Sequence, residues 1–350
     1  MSAGGRIVDD TSDAGRAFAA DLQAGAVNLV SGCAGITAGQ KVLVVAEDPA
    51  LGWFDEIAPR TVAGTARRLG AEVAIMPVGN PADAPPPGLA GAVADADVVI
   101  FFARIGDQDR FVDDGNTALR VVSYARTAGA LASAFGRRDH RKMLELKRAV
   151  DRALQGTDEI EISCPLGTRL RGPGPAKVPM APDVAVRRFP MCVPAPVSAR
   201  AFSGEVVLAD YLTPTGSRVY SPPWLALPEP VIAEVESGRT VRFRGAPAIV
   251  ERIEAHYAAV AGRFAIPADV VHSWHAGIHD GCSFEGQPAT DPDLWSNSIF
   301  GSPGYLHFHT CGDYPPGEIC WMVAAPTIIA DGRTIWRDGT LNCQELPAPD

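Results

Sequence analysis

The run KVLVVAE at Lys41–Glu47 is short, β-branched and apolar, and turn residues bound it on both sides. Such a run reads as a strand buried on both faces. Two further runs of the same kind follow, AEVAIMPV at Ala71–Val78 and DVVIFFA at Asp97–Ala103, with a fourth expected over Val121–Ala125. Between them lie helical patterns over Asp55–Leu69, closed by Gly70, and Leu89–Ala96; residues 14–30 form an amphipathic helix ahead of the first strand. Strands alternating with helices at this spacing imply a mostly parallel sheet covered on both faces. The first strand ends in Glu47-Asp48-Pro49, with neither a GxGxxG nor a GxxxxGK[ST] turn behind it. Acidic residues at that end repel phosphate, so a nucleotide site is not expected there.

Beyond the charged helix His140–Leu154 the texture changes to short strands separated by Gly and Pro: EIEISCP, GTRLRGPGPAKVP, GEVVLADYL and RTVRFRG. That pattern predicts a β-rich, barrel-like α+β second domain, with one clear helix at Ile249–Phe264 carrying His256 exposed or half buried, in a surface role rather than as a ligand. At 350 residues two domains are expected, and we divide the chain into an α/β domain at 1–156 and a metal-binding catalytic domain at 157–350.

The chemistry gathers in Val271–Cys320. Five of the seven histidines lie there, at 272, 275, 279, 307 and 309, among Asp280, Glu285, Asp313, Glu318, Cys282, Cys311 and Cys320. Imidazole, carboxylate and thiolate are the side chains that bind transition metals. In a strand His307 and His309 point to the same face; His272, His275 and His279 share a face only if they lie on a helix, and Gly277 and Gly281 leave a loop or strand end equally open. Two histidines with one carboxylate is the set used by non-haem Fe(II) oxygenases. Structural zinc would call for closely spaced cysteines, and no CxxC pair occurs.

A net charge of −10 without a Lys/Arg run argues against nucleic acid. No long apolar run predicts a membrane span, the N-terminal MSAGGRIVDDTSD lacks the apolar core of a signal peptide, and seven scattered cysteines suggest reduced thiols in the cytoplasm.

The order of SCPLGTRL (Ser163–Leu170), Phe189-Pro190, GEVVLAD, VESGRTVRFRG, WHAGIHDG, GYLHFHTCG and PTIIADGRTIWRDG (Pro326–Gly339) resembles the aminopeptidase T-like leucyl aminopeptidases and their relative 2,5-dihydroxypyridine 5,6-dioxygenase. The resemblance covers most of the chain and implies a homo-oligomeric metalloenzyme. It places metal ligands on His275 and His307. The family's last His-x-Asp pair, counted nine residues back from Thr327, falls on Glu318-Ile319-Cys320; the alternative alignment puts it on His307-x-His309. We take His275, His307 and Glu318 as the ligand set, with His309 the substitute third ligand. This composition suits a single Fe(II) better than the two ions of the peptidases. The resemblance then implies a dioxygenase that uses O2 to cut a small hydroxylated aromatic or N-heterocyclic ring, His279 or His309 removing the substrate hydroxyl proton. The other reading is an aminopeptidase or amidase on Zn, Co or Mn.

Overall fold

The computed structural model describes residues 12–108, 117–180, 183–214, 220–312 and 317–347. Asp313 and most of the N-terminal segment lie outside the described residues. In chain order the helices are α1 (Asp13–Val27), α2 (Ile57–Arg68), α3 (Leu89–Ala94), α4 (Ile105–Gln108), α5 (Ala128–Ala132), α6 (Ala134–Arg137), α7 (His140–Gln155), α8 (Pro247–Phe264) and α9 (Pro292–Ile299). No described helix is long and apolar enough to cross a membrane. The chain forms two compact units, one of residues 1–106, 113–142 and 186–190, the other of 107–112, 143–185 and 191–350.

The first unit holds a five-stranded parallel sheet. Its strands are β1 (Lys41–Glu47), β2 (Glu72–Val78), β3 (Val98–Phe102), β4 (Leu119–Ser123) and β7 (Arg187–Phe189), ordered β2-β1-β3-β4-β7. The apolar runs become strands because both faces are covered: Val42 to Val45 and all of β3 are buried. β2 pairs only with β1. Pro77 is tolerated there because an edge strand does not need every N–H.

Strand order reverses between β1 and β3, where open α/β sheets usually bind ligands beyond the strand ends. Here Glu47 and Arg104 fill that position as a buried ion pair. The Arg104 N–H and Nε each donate to the carboxylate at 2.9 Å, and Nη2 lies 2.8 Å from Oε1. Trp53 covers the guanidinium, whose carbon is 4.5 Å from the ring centre. The acid at the end of β1 therefore serves its own arginine.

The second unit is built on a curled antiparallel sheet, twelve-stranded among the described residues. It comprises β5 (Glu159–Ser163), β6 (Arg169–Pro173), β8 (Val197–Ser198), β9 (Ser203–Pro214), β10 (Leu225–Glu236), β11 (Arg239–Arg244), β12 (Val271–Ala276), β13 (Tyr305–Cys311), β14 (Glu318–Ala324), β15 (Thr327–Ala330), β16 (Arg333–Arg337) and β17 (Thr340–Leu341). The α/β plus β-rich organisation expected from the sequence is present.

Its centre is the row Trp274–Phe308–Trp321–Leu212, directly opposed across β12, β13, β14 and β9. All four side chains are fully buried in the main core. Side chains alternate along a strand, so putting these four into the core turns residues 275, 307, 309, 320 and 322 to the other face. The core row also carries a polar chain: Trp321 Nε1–H donates to the Tyr257 hydroxyl at 2.6 Å, which in turn meets Thr310 Oγ1 at 2.6 Å. Burial raises the Tyr257 pKa, so the phenol stays a neutral hydrogen-bonding group. His256, on the same helix, is buried where an exposed or half-buried position was expected; it packs edge-on to Tyr220 with ring centres 5.9 Å apart.

Candidate metal centre

β12 settles the open geometry of the first three histidines. Val271–Ala276 is a strand, so His272 and His275 do not share a helical face, and His279 falls beyond the strand end. His272 is occupied elsewhere: its Nε2 lies 2.7 Å from the Cys311 carbonyl and its Nδ1 3.1 Å from Arg200. The glycine after the strand has a packing reason. A Cβ on Gly277 would sit 2.2 Å from the Gly301 backbone, because residues 277–279 lie against 301–305, with Gly277 N–H bonded to the Tyr305 carbonyl and His279 N–H to that of Gly301.

Register then brings three imidazoles together. His275 is directly opposite His307, and Ser273 opposite His309, so His309 is the diagonal neighbour of His275 on the same face. Ring centres are 4.0 Å apart for His275–His307, 5.1 Å for His275–His309 and 5.0 Å for His307–His309. One ligand nitrogen from each lies within 4.8 Å of the others, and all three residues are buried. His275 Nε2 and His309 Nε2 are 3.1 Å apart. With metal–nitrogen bonds of about 2.0–2.1 Å, that separation corresponds to an angle of roughly 95–100° at one ion. The donor set therefore fits a metal.

The far side of two rings is fixed. His275 Nδ1 is 3.3 Å from the Pro194 carbonyl, which accepts its proton. His309 Nδ1 is hydrogen-bonded to Glu318 Oε1, since β14 runs beside β13 with Glu318 opposite Cys311. A carboxylate or carbonyl on Nδ1 sets the tautomer that leaves Nε2 free to bind a metal. Of the residues named from sequence, His275, His307 and His309 form the cluster, and Glu318 stands behind His309. His279 is buried in the adjoining turn, where its Nδ1 accepts the Gly281 N–H at 3.1 Å.

Further side chains surround the cluster. Cys320 and Met322 oppose His309 and His307 across β13–β14. They belong to an apolar group with Trp295 and Ile299 of α9, flanked by Tyr211, Phe284 and Tyr305. α9 starts with Asp291 accepting the Leu294 N–H at 2.9 Å and Pro292 in the first turn, the usual chemistry of a helix start. Phe300, just after it, stands at 84° to His307 with ring centres 5.8 Å apart. The Asp-Pro start of α9 was visible in sequence, but nothing there says which face it presents. Tyr220 donates to the Glu318 carbonyl at 2.7 Å. Burial, reinforced by the charges of Asp293 and Glu318, pushes its pKa well up.

No protein-family model and no curated protein matches the chain. Solved structures do. The 2,5-dihydroxypyridine dioxygenase of Pseudomonas putida KT2440 superposes with a TM-score of 0.62 at 13% identity, covering 93% of this chain and 98% of that one. AmpT of Thermus thermophilus, an aminopeptidase T, gives a TM-score of 0.55 at 13% identity, covering 93% and 99%. The fold is thus shared with both over nearly the whole length, which agrees with the divergent resemblance read from the motifs.

Proposed function

We propose that the chain is a mononuclear non-haem dioxygenase that opens a small hydroxylated aromatic or N-heterocyclic ring, with Fe(II) held by His275, His307 and His309. The observation that carries this reading is the composition of the cluster. Three imidazoles converge, and the carboxylate in contact with them, Glu318, is already bonded to His309 Nδ1. Two-ion hydrolases need carboxylates to bridge and share their metals, whereas one cluster of neutral donors suits one ion. In this assignment His309 is a ligand and Glu318 the group that orients it.

A bound Fe(II) would supply the electron chemistry that dioxygen requires. The chain's residues supply the rest. Neutral imidazoles leave the positive charge of the centre largely uncompensated, which favours an anionic or readily ionised substrate oxygen. Phe300 and the apolar group of Trp295, Cys320 and Met322 beside the histidines offer flat, water-excluding surface to a ring. His279 accepts from Gly281 through Nδ1, so its proton lies on Nε2. We therefore assign it to hold the turn beyond β12, where it is fully buried.

The second reading is a metal-dependent aminopeptidase or amidase. It draws on the same cluster, because three histidines also hold catalytic zinc and lower the pKa of its water. The protein, prepared without oxygen and reconstituted separately with Fe(II), Zn, Co or Mn, separates the two. Oxygen uptake with a panel of dihydroxypyridines and catechols, specific to the iron form, is the expected result. Release of a chromogenic amine from a leucyl anilide by the Zn, Co or Mn form, without oxygen uptake, overturns the assignment.

A further inference from the structure

Away from the histidine cluster, α8 and the segment leading into β10 line a partly open cavity of about 310 Å³, within the size range of small-ligand sites. Its walls are mostly apolar and include Leu225, Val260 and Tyr220, while Arg252 and Arg263 stand at its edge. His256 also lines it. That side chain is only 7% exposed, and its buried Nε2 has no hydrogen-bond partner among the described residues. Burial lowers the His256 pKa, so at neutral pH the ring is an uncharged donor and acceptor. Arg252 and His256 are four residues apart on α8 and therefore neighbours on one face.

We propose that this cavity is a binding site for a small amphipathic carboxylate. The carboxylate pairs with Arg252 and takes a hydrogen bond from His256, and the apolar body lies along Val260, Leu225 and the ring of Tyr220. An exposed arginine beside an apolar slot favours an anion over a neutral molecule of the same shape. None of His275, His307 and His309 lines the cavity, so the site is separate from the metal centre, although Tyr220 joins its wall to the Glu318 backbone.

Calorimetric titration of the full chain with 4-phenylbutyrate and with 4-phenylbutyramide tests this. The expected result is saturable one-to-one binding of the acid, with the amide weaker by about tenfold or more, as loss of one charged contact implies. Arg252→Gln should weaken the acid by a similar factor. Ala259→Trp, at an exposed position on the cavity rim, should abolish binding while leaving the thermal transition near that of the parent. The double variant His275→Ala/His307→Ala, without the metal centre, should bind the acid as the parent does. No binding of the acid, equal affinity for acid and amide, or binding that survives Ala259→Trp and vanishes in the histidine double variant would each overturn the proposal. The last result would put the probe at the metal centre.

Discussion

Glu318 and His309 are bonded through Oε1 and Nδ1 across neighbouring strands, and this contact aims His309 Nε2 at His275 Nε2, 3.1 Å away. The carboxylate thus sets how the third imidazole is presented.

Its loss should weaken the metal without removing it. Glu318→Gln keeps the shape and most of the hydrogen bond, and Glu318→Ala removes both. Metal affinity, measured by competition with a chromophoric chelator, should fall about 10–100-fold in Glu318→Ala, with Glu318→Gln between that and the parent. Complete loss of the ion in Glu318→Gln would instead identify Glu318 as a direct ligand.

His275→Ala and His307→Ala each remove an imidazole from the directly opposed pair on β12 and β13. Both variants should lose stoichiometric metal while keeping the parent far-UV circular dichroism, since the rings face away from the Trp274–Phe308–Trp321 row. Full metal content in both would end the assignment.

That aromatic row holds the ligand strands in register. Phe308 is fully buried between Trp274 and Trp321, and Phe308→Ala should cost about 3–5 kcal/mol. The shift of the urea midpoint of metal-free protein is the readout. Metal affinity should fall as well, because the same strand carries His307 and His309.

The first unit has its own pH response. His140 is buried and stacked on Phe189 with ring centres 6.1 Å apart. Burial, aided by the charge of Arg187 and opposed by Asp139, lowers its pKa from 6.5 to about 4. The unfolded chain therefore takes up the proton first as pH falls. The His140 contribution is fully present above about 6.5 and is lost between about 6.5 and 4, on the order of 1 kcal/mol per pH unit. His140→Phe should flatten that part of the stability profile of metal-free protein, and an unchanged slope would contradict it.

The parallel sheet was legible because β1 and β3 are unbroken apolar runs, which only a two-sided burial demands. β7 was not: Arg187–Phe189 is three residues long with two arginines, and it joins β4 from far along the chain. α1 likewise continues through a wider turn at Asn28–Cys33, which the glycines there disguised. In the site, the period of two was enough to put His307 and His309 on one face. Joining them to His275 needed the β12–β13 register, which no local pattern encodes. The hydrogen bond between His309 and Glu318 was hidden for the same reason, since only the pairing of β13 with β14 sets the two side chains together.

X-ray absorption at the metal edge of metal-loaded protein reads the number and kind of donors at the cluster. One ion per chain is expected, with three imidazole nitrogens at about 2.0–2.1 Å and multiple scattering from all three rings. A second metal at about 3.5–4 Å, or a first shell with fewer than three imidazoles, would contradict it.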